Sequence, residues 1–400
     1  MLSPHRPLFA AAAALWLSSA LWWSACLLGQ RPAGVLPVSV LHGWLMSLGM
    51  MPLFIAGFAG TSFPRWLDQE PLDGSRLVLP AVAAWLAWLG LLLADAAGRR
   101  GLAAGFAAVP GLFMLGMAMV LLRRCARDGA RFSAHAWGIA AGLLWVGLCQ
   151  LCAALAVLFE QATLLQAAQR LALCLGVGSI FVLALQRLTP FVHQQGRRAP
   201  GLLIGLLLSL LLRAGLDLAA LWAWPLPAPI HLLAAATLLC LAVFVLRDAQ
   251  RRELHAARRT PLVAQLHAGY MWLGLSLALD ALAQGGAGLG RPDLQRALAM
   301  AALHALTLGF MGTTLLAMAS RVSAVQQGRS VAVDRGLSLM QALLQLLTAG
   351  RLAATLAPVW PGLVDLLPAV ALAYLVLALA WSLRYGPWLL QSGRGRGRER

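Results

Sequence analysis

Twelve stretches of about twenty apolar residues, separated by Arg, Pro and Gly, run through this chain of 400 residues. A bilayer hydrocarbon core is about 30 Å thick and takes about 20 helical residues to cross. The stretches lie at 7–29, 38–60, 77–96, 102–122, 135–158, 171–193, 201–222, 229–246, 262–283, 295–319, 335–356 and 362–383. None alternates with a period of two, which excludes a membrane β-barrel. The sequence therefore predicts an all-α fold, a polytopic membrane helix bundle of about 12 transmembrane helices. Pro7–Gly29 is too long for the apolar core of a signal peptide, and no clear small-residue cleavage site follows it. It is read as the first span.

Composition closes off the other classes. The chain is 60% hydrophobic and 11% charged, against roughly a quarter charged in soluble domains. So much apolar surface could not be hidden in water. Soluble enzymes, nucleic-acid-binding modules and disulfide scaffolds are excluded. All 31 basic residues are Arg, which points to a GC-rich bacterial genome. They sit mostly in short loops, where they encode topology rather than affinity for nucleic acid. With the N-terminus in the cytoplasm, 23 of them fall on the cytoplasmic side. Only Arg31, Arg99, Arg100, Arg170, Arg291, Arg296 and Arg351 fall opposite, and Arg213 lies inside a span. This split predicts cytoplasmic termini in a bacterial inner membrane. Residues 1–391 read as a single twelve-span domain in membrane lipid, and 392–400 as a disordered Gly/Arg-rich tail near anionic headgroups. The six cysteines lie mostly in apolar segments, and the Cys149/Cys152 pair reads as packing.

Ionisable residues at membrane depth are costly and mark candidate sites. Arg213 and Asp217 are four apart on one helical face and can pair. They serve either packing or an anion, such as a haem propionate. Asp280 stands alone near the end of the ninth span, and the terminal Asp95 reads as structural. His42, His267 and His304 each have a methionine four residues away, at Met46, Met271 and Met300, which places both side chains on one face. The face of His304 continues through Met311 and Met318 to Arg321. Imidazole and thioether together suit haem iron or copper. Alternatively, the methionines fill apolar gaps and the histidines bond neighbouring carbonyls. In the expected topology His42 and His304 share the non-cytoplasmic half and could form one site, while His267 belongs to a second. Gly49, Gly57, Gly60, Gly309 and Gly312 allow close approach of helices or of a flat cofactor.

The run His304-Ala305-Leu306-Thr307-Leu308-Gly309-Phe310-Met311-Gly312-Thr313, continuing to Ser320-Arg321-Val322, resembles the NnrS family. Collinear stretches agree: Leu41-His42-Gly43-Trp44, Ala56-Gly57-Phe58, Pro64-Arg65-Trp66, Arg187-Leu188-Thr189-Pro190-Phe191, Leu266-His267-Ala268-Gly269-Tyr270-Met271-Trp272 and Arg384-Tyr385-Gly386-Pro387. The resemblance implies a bacterial twelve-span protein containing haem and copper and linked to nitric oxide metabolism and denitrification. It makes His42 and His304 candidate axial ligands and metal ligands. His267 is a candidate metal ligand at a second site, and Arg213 or Arg321 a partner for haem propionates. Nitric oxide and a respiratory or denitrification complex are the implied partners. The chain departs from the family's Trp-His-Ala-His-Glu run, with Leu41, Trp44 and Leu45 at the Trp, second His and Glu positions. Gln326 stands where a Gly-His-Thr-Gly-Arg run has its His, and His193 is a possible replacement. Two other classes fit the same residues. One is a cofactor-free transporter working around Arg213 and Asp217; the other is an assembly subunit of a respiratory complex.

Overall fold

A membrane-spanning chain must satisfy every backbone N–H and C=O internally, and helices do so within one segment. A computed structural model describes residues 2–30, 34–127, 131–188, 200–259, 261–328 and 334–391. Among them are twelve helices long and apolar enough to cross a membrane, and no strand. They are α1 (His5–Leu27), α2 (Val38–Trp66), α3 (Gly74–Ala96), α4 (Arg100–Cys125), α5 (Ala134–Leu158) and α6 (Ala162–Arg187), followed by α7 (Pro200–Leu221), α8 (Ala228–Gln250), α9 (Leu262–Gly288), α10 (Pro292–Gln326), α11 (Arg335–Ala354) and α12 (Pro361–Leu390). Eleven begin within a few residues of their expected positions. The sixth starts nine residues earlier than the apolar run at 171, because Ala162–Leu171 carries Gln166, Gln169 and Arg170. Arg351, counted with the charges of the non-cytoplasmic side, lies inside the last turn of α11. His193 and the tail at 392–400 lie outside the described residues.

The helices fall into two compact units. The first holds α1–α5, α6 to Ile180, α10 from Met318 and α12 from Ala378. Lipid tails are as apolar as leucine, so helices here associate through close packing rather than through the hydrophobic effect. Glycines supply that closeness. A Cβ on Gly57 would sit 2.8 Å from the Phe9 ring, and one on Gly49 would meet Leu15 and Trp88. Trp381 of α12 packs edge-on against Phe54, with ring centroids 5.5 Å apart, and its indole N–H donates to Ser320 Oγ at 3.0 Å. The loop after α1 is tied down by Asp95, whose carboxylate accepts from the Leu36 amide at 2.8 Å. The second unit holds α6 from Phe181, α7–α9, α10 to Ala317, α11, and α12 to Leu377.

Three spans contain wide π-helical turns: Trp44–Met50 in α2, Ala172–Gly178 in α6 and Ala305–Gly312 in α10. A π turn replaces the i→i−4 bond with an i→i−5 bond and leaves carbonyls poorly paired where it joins the α-helix. Within the bilayer these must find donors from neighbouring helices. Each region has one. Gln150 of α5 donates to the Leu48 carbonyl at 2.8 Å, Trp145 to that of Leu171 at 3.2 Å, and Gln341 of α11 to that of Thr313 at 3.3 Å.

Candidate functional site

Buried charge of the second unit lies near His304. Pro292 at the start of α10 has the fixed φ that suits a first helical turn. About three turns on, the α-helix ends at His304 and the π stretch begins at Ala305. His304 is half-buried. Its Nδ1 lies 2.9 Å from the carbonyl oxygen of Met300. A carbonyl only accepts, so Nδ1 carries the proton and Nε2 keeps its lone pair. A backbone carbonyl on one ring nitrogen is the arrangement that orients a metal-ligating imidazole.

Neighbouring helices hold this stretch firmly. Ser276 of α9 donates to the Ala302 carbonyl at 2.9 Å. The indole of Trp272 fills the space at Gly309, where a Cβ would fall 2.6 Å from the ring. The same indole donates to Gln345 Oε1, and Gln345 donates to Thr313 Oγ1 at 2.9 Å. Gly309 and Gly312 therefore serve helix packing, with an indole against the first and Leu344 beside the second.

Two guanidinium groups lie within electrostatic reach of His304, those of Arg213 and Arg351. Arg213 of α7 is buried and forms an ion pair with buried Asp280 of α9. Asp217 acts electrostatically on the same aspartate. Asp280 is thus not a lone residue at the interface, as its sequence position suggested. A cross-helix partner neutralises it, which a single-helix reading could not show.

The remaining candidates lie elsewhere. α9 and α10 run antiparallel, with Ser276 opposite Ala302 and Gly269 against Thr314. His267, beside Gly269, is therefore displaced from His304 by roughly 15 Å along the helices, at 1.5 Å per residue. It stands apart from the His304 cluster. Arg321 is exposed near the end of α10, whereas His304 lies in that span's first half. His42 belongs to the first unit, half-buried, with its imidazole stacked on the Trp23 ring at 3.8 Å between centroids. Met300 turns its carbonyl, not its sulfur, to His304, and its side chain is exposed. The shared face read for His304, Met311 and Met318 is broken because the π turn changes the register.

Trp44 and Leu45 are fully buried. The Trp44 indole N–H donates to Gln150 Oε1 at 3.1 Å. An indole offers no lone pair, so these residues do not fit a metal site. Among the described residues no three His, Cys, Asp or Glu side chains gather as metal donors. A copper centre of that kind does not fit them. Haem asks less, one or two axial donors and a partner for its propionates, and His304 with the nearby guanidinium groups fits that demand.

A twelve-helix membrane bundle with buried charge around an oriented histidine defines a polytopic membrane protein with a polar intramembrane site. The chain matches a family described as NnrS protein over residues 1–392 and belongs to that family. A search of curated proteins returned no match. Membership carries a link to the nitric oxide response.

Proposed function

We propose that this chain is a haem protein of the bacterial inner membrane, with both termini in the cytoplasm, serving the nitric oxide response during denitrification. One observation supports it above the others: the Met300 carbonyl fixes the Nδ1 proton of His304 and leaves Nε2 as a ligand-ready lone pair. His304 would hold the haem iron in this reading. His42, held flat against Trp23, and His267 are the other histidines to test. A bound haem supplies an iron that coordinates nitric oxide. The protein's residues orient the imidazole, exclude water and balance charge.

The test is a reduced-minus-oxidised spectrum with pyridine haemochrome on detergent-purified protein, with metal analysis of the same sample. Loss of the haem signal in His304→Ala supports the assignment, and the same measurement on His42→Ala and His267→Ala tests the other two histidines. Protein free of haem and copper after expression under denitrifying conditions rejects it. A second reading, a cofactor-free transporter, draws on the buried Arg213–Asp280 pair, since intramembrane charges also line substrate paths. It requires solute uptake that fails in Asp280→Asn.

A further inference from the structure

Arg351 lies in the last turn of α11, half-buried. The position of α11 beside α10 follows from two glutamines. Gln341 donates to the Thr313 carbonyl and Gln345 to the Thr313 hydroxyl, so Thr313 sits level with the turn between them. The helices are antiparallel, with α10 approaching Thr313 from His304 and α11 leaving it toward Arg351. Nine residues separate His304 from Thr313, and about as many separate Arg351 from the glutamine turn. This register brings Arg351 level with His304, and the two are electrostatically coupled.

The charges there are not evenly paired. Arg213 has Asp280, and Asp217 stands beside that pair. Arg351 has no carboxylate partner among the described residues. A cationic His304 would add a third positive group there, and its ring nitrogen already donates to Met300. A partly buried guanidinium without a counter-charge is costly in a membrane, and its planar fork matches an anion with two coplanar oxygens.

We infer that Arg351 is an anion-receiving residue beside His304, taking a small two-oxygen monoanion at the end of α11. This deepens the haem reading, because the anion is either a carboxylate of a bound porphyrin or a free oxyanion of the nitrite type. The functional-group chemistry is the same in both, and the experiment separates the sources. Purified full-length protein is titrated with haem and with haem dimethyl ester, whose carboxylates are capped. It is also melted in sodium nitrite and in sodium chloride at equal ionic strength.

If the anion is a propionate, the wild type prefers haem over the ester by about tenfold, the weight of a charge-assisted hydrogen bond. Arg351→Gln loses that preference and Arg351→Lys retains part of it. If the anion is free, nitrite raises the melting temperature of the haem-free protein above its value in chloride, and Arg351→Gln abolishes the rise. Gel filtration checks that Arg351→Gln is folded, and partial retention by Arg351→Lys separates charge from packing. Equal responses of wild type and Arg351→Gln in both arms, or no response of the wild type in either, overturn the inference. A nitrite effect that depends on Arg351 in protein that never takes up haem upholds the anion site and removes the haem reading.

Discussion

Trp44 and Gln150 are locked together within the first unit: the indole N–H donates to the amide oxygen at 3.1 Å, and the amide nitrogen donates onward to the Leu48 carbonyl at 2.8 Å. Both partners are fully buried. One glutamine therefore satisfies an indole donor and a carbonyl of the wide turn in α2. Gln150→Leu is expected to leave both groups unpaired in a site without water, at a cost of about 1–3 kcal/mol for each such group. The measurement is a lowered melting temperature in detergent. Gln150→Glu keeps the acceptor for Trp44 and loses the donor to Leu48, so it should also destabilise.

The Arg213–Asp280 pair is buried from both sides. Asp280→Leu removes the ion-pair partner of a buried guanidinium, and removing one member of a buried pair typically costs about 3–5 kcal/mol. The double variant Arg213→Met, Asp280→Leu leaves neither charge and should recover most of that loss. Comparing the folded fraction of the single and double variants after purification checks this. Equal losses in all three would show that the pair does not couple the two helices.

Gly34 lies against Asp95 so closely that a Cβ would fall 2.0 Å from the carboxylate. Gly34→Ala must displace the carboxylate from the Leu36 amide that it accepts from. The single substitution is expected to cost about 1–3 kcal/mol through overpacking. In Asp95→Ala the obstacle is gone, so the two effects should be non-additive in a double-mutant cycle. Strict additivity of the melting shifts would contradict the contact.

Asp73 lies outside the spans, where its carboxylate caps Gly74–Leu77 and accepts from both the amide and the hydroxyl of Ser75. These bonds favour the charged form and hold its pKa below the ordinary 3.8. A depressed folded-state pKa contributes stability that is complete above the unfolded value and is lost as pH falls through the folded one. Wild type should therefore melt above Asp73→Ala at neutral pH, with the gap closing only as the pH drops below about 4. A gap that persists at lower pH would mean that the capping is not ionic.

Much of this architecture could be read from hydropathy, because a span declares itself over about 20 residues regardless of its partners. The exceptions share a cause. The start of α6 was missed where Gln166, Gln169 and Arg170 interrupt an otherwise helical face. Asp280 looked solitary because its counter-charge comes from another helix. His304 stands out in the sequence as a polar residue at membrane depth, but its methionine partnership is read there with α-helical spacing across a stretch that is not α-helical. Backbone hydrogen bonding of the π type leaves no mark in residue composition. Arg351 counts among the charges of the non-cytoplasmic side, although the helix carries it inward to the level of His304.

The wide turn at Ala305–Gly312 has an evolutionary meaning. A π turn is the trace of one additional residue accommodated within an α-helix. Deleting a single residue there would restore regular winding and swing everything on its N-terminal side by about 100° around the helix axis. A single-residue deletion in this stretch is therefore expected to turn His304 away from its present neighbours while the span still crosses the bilayer.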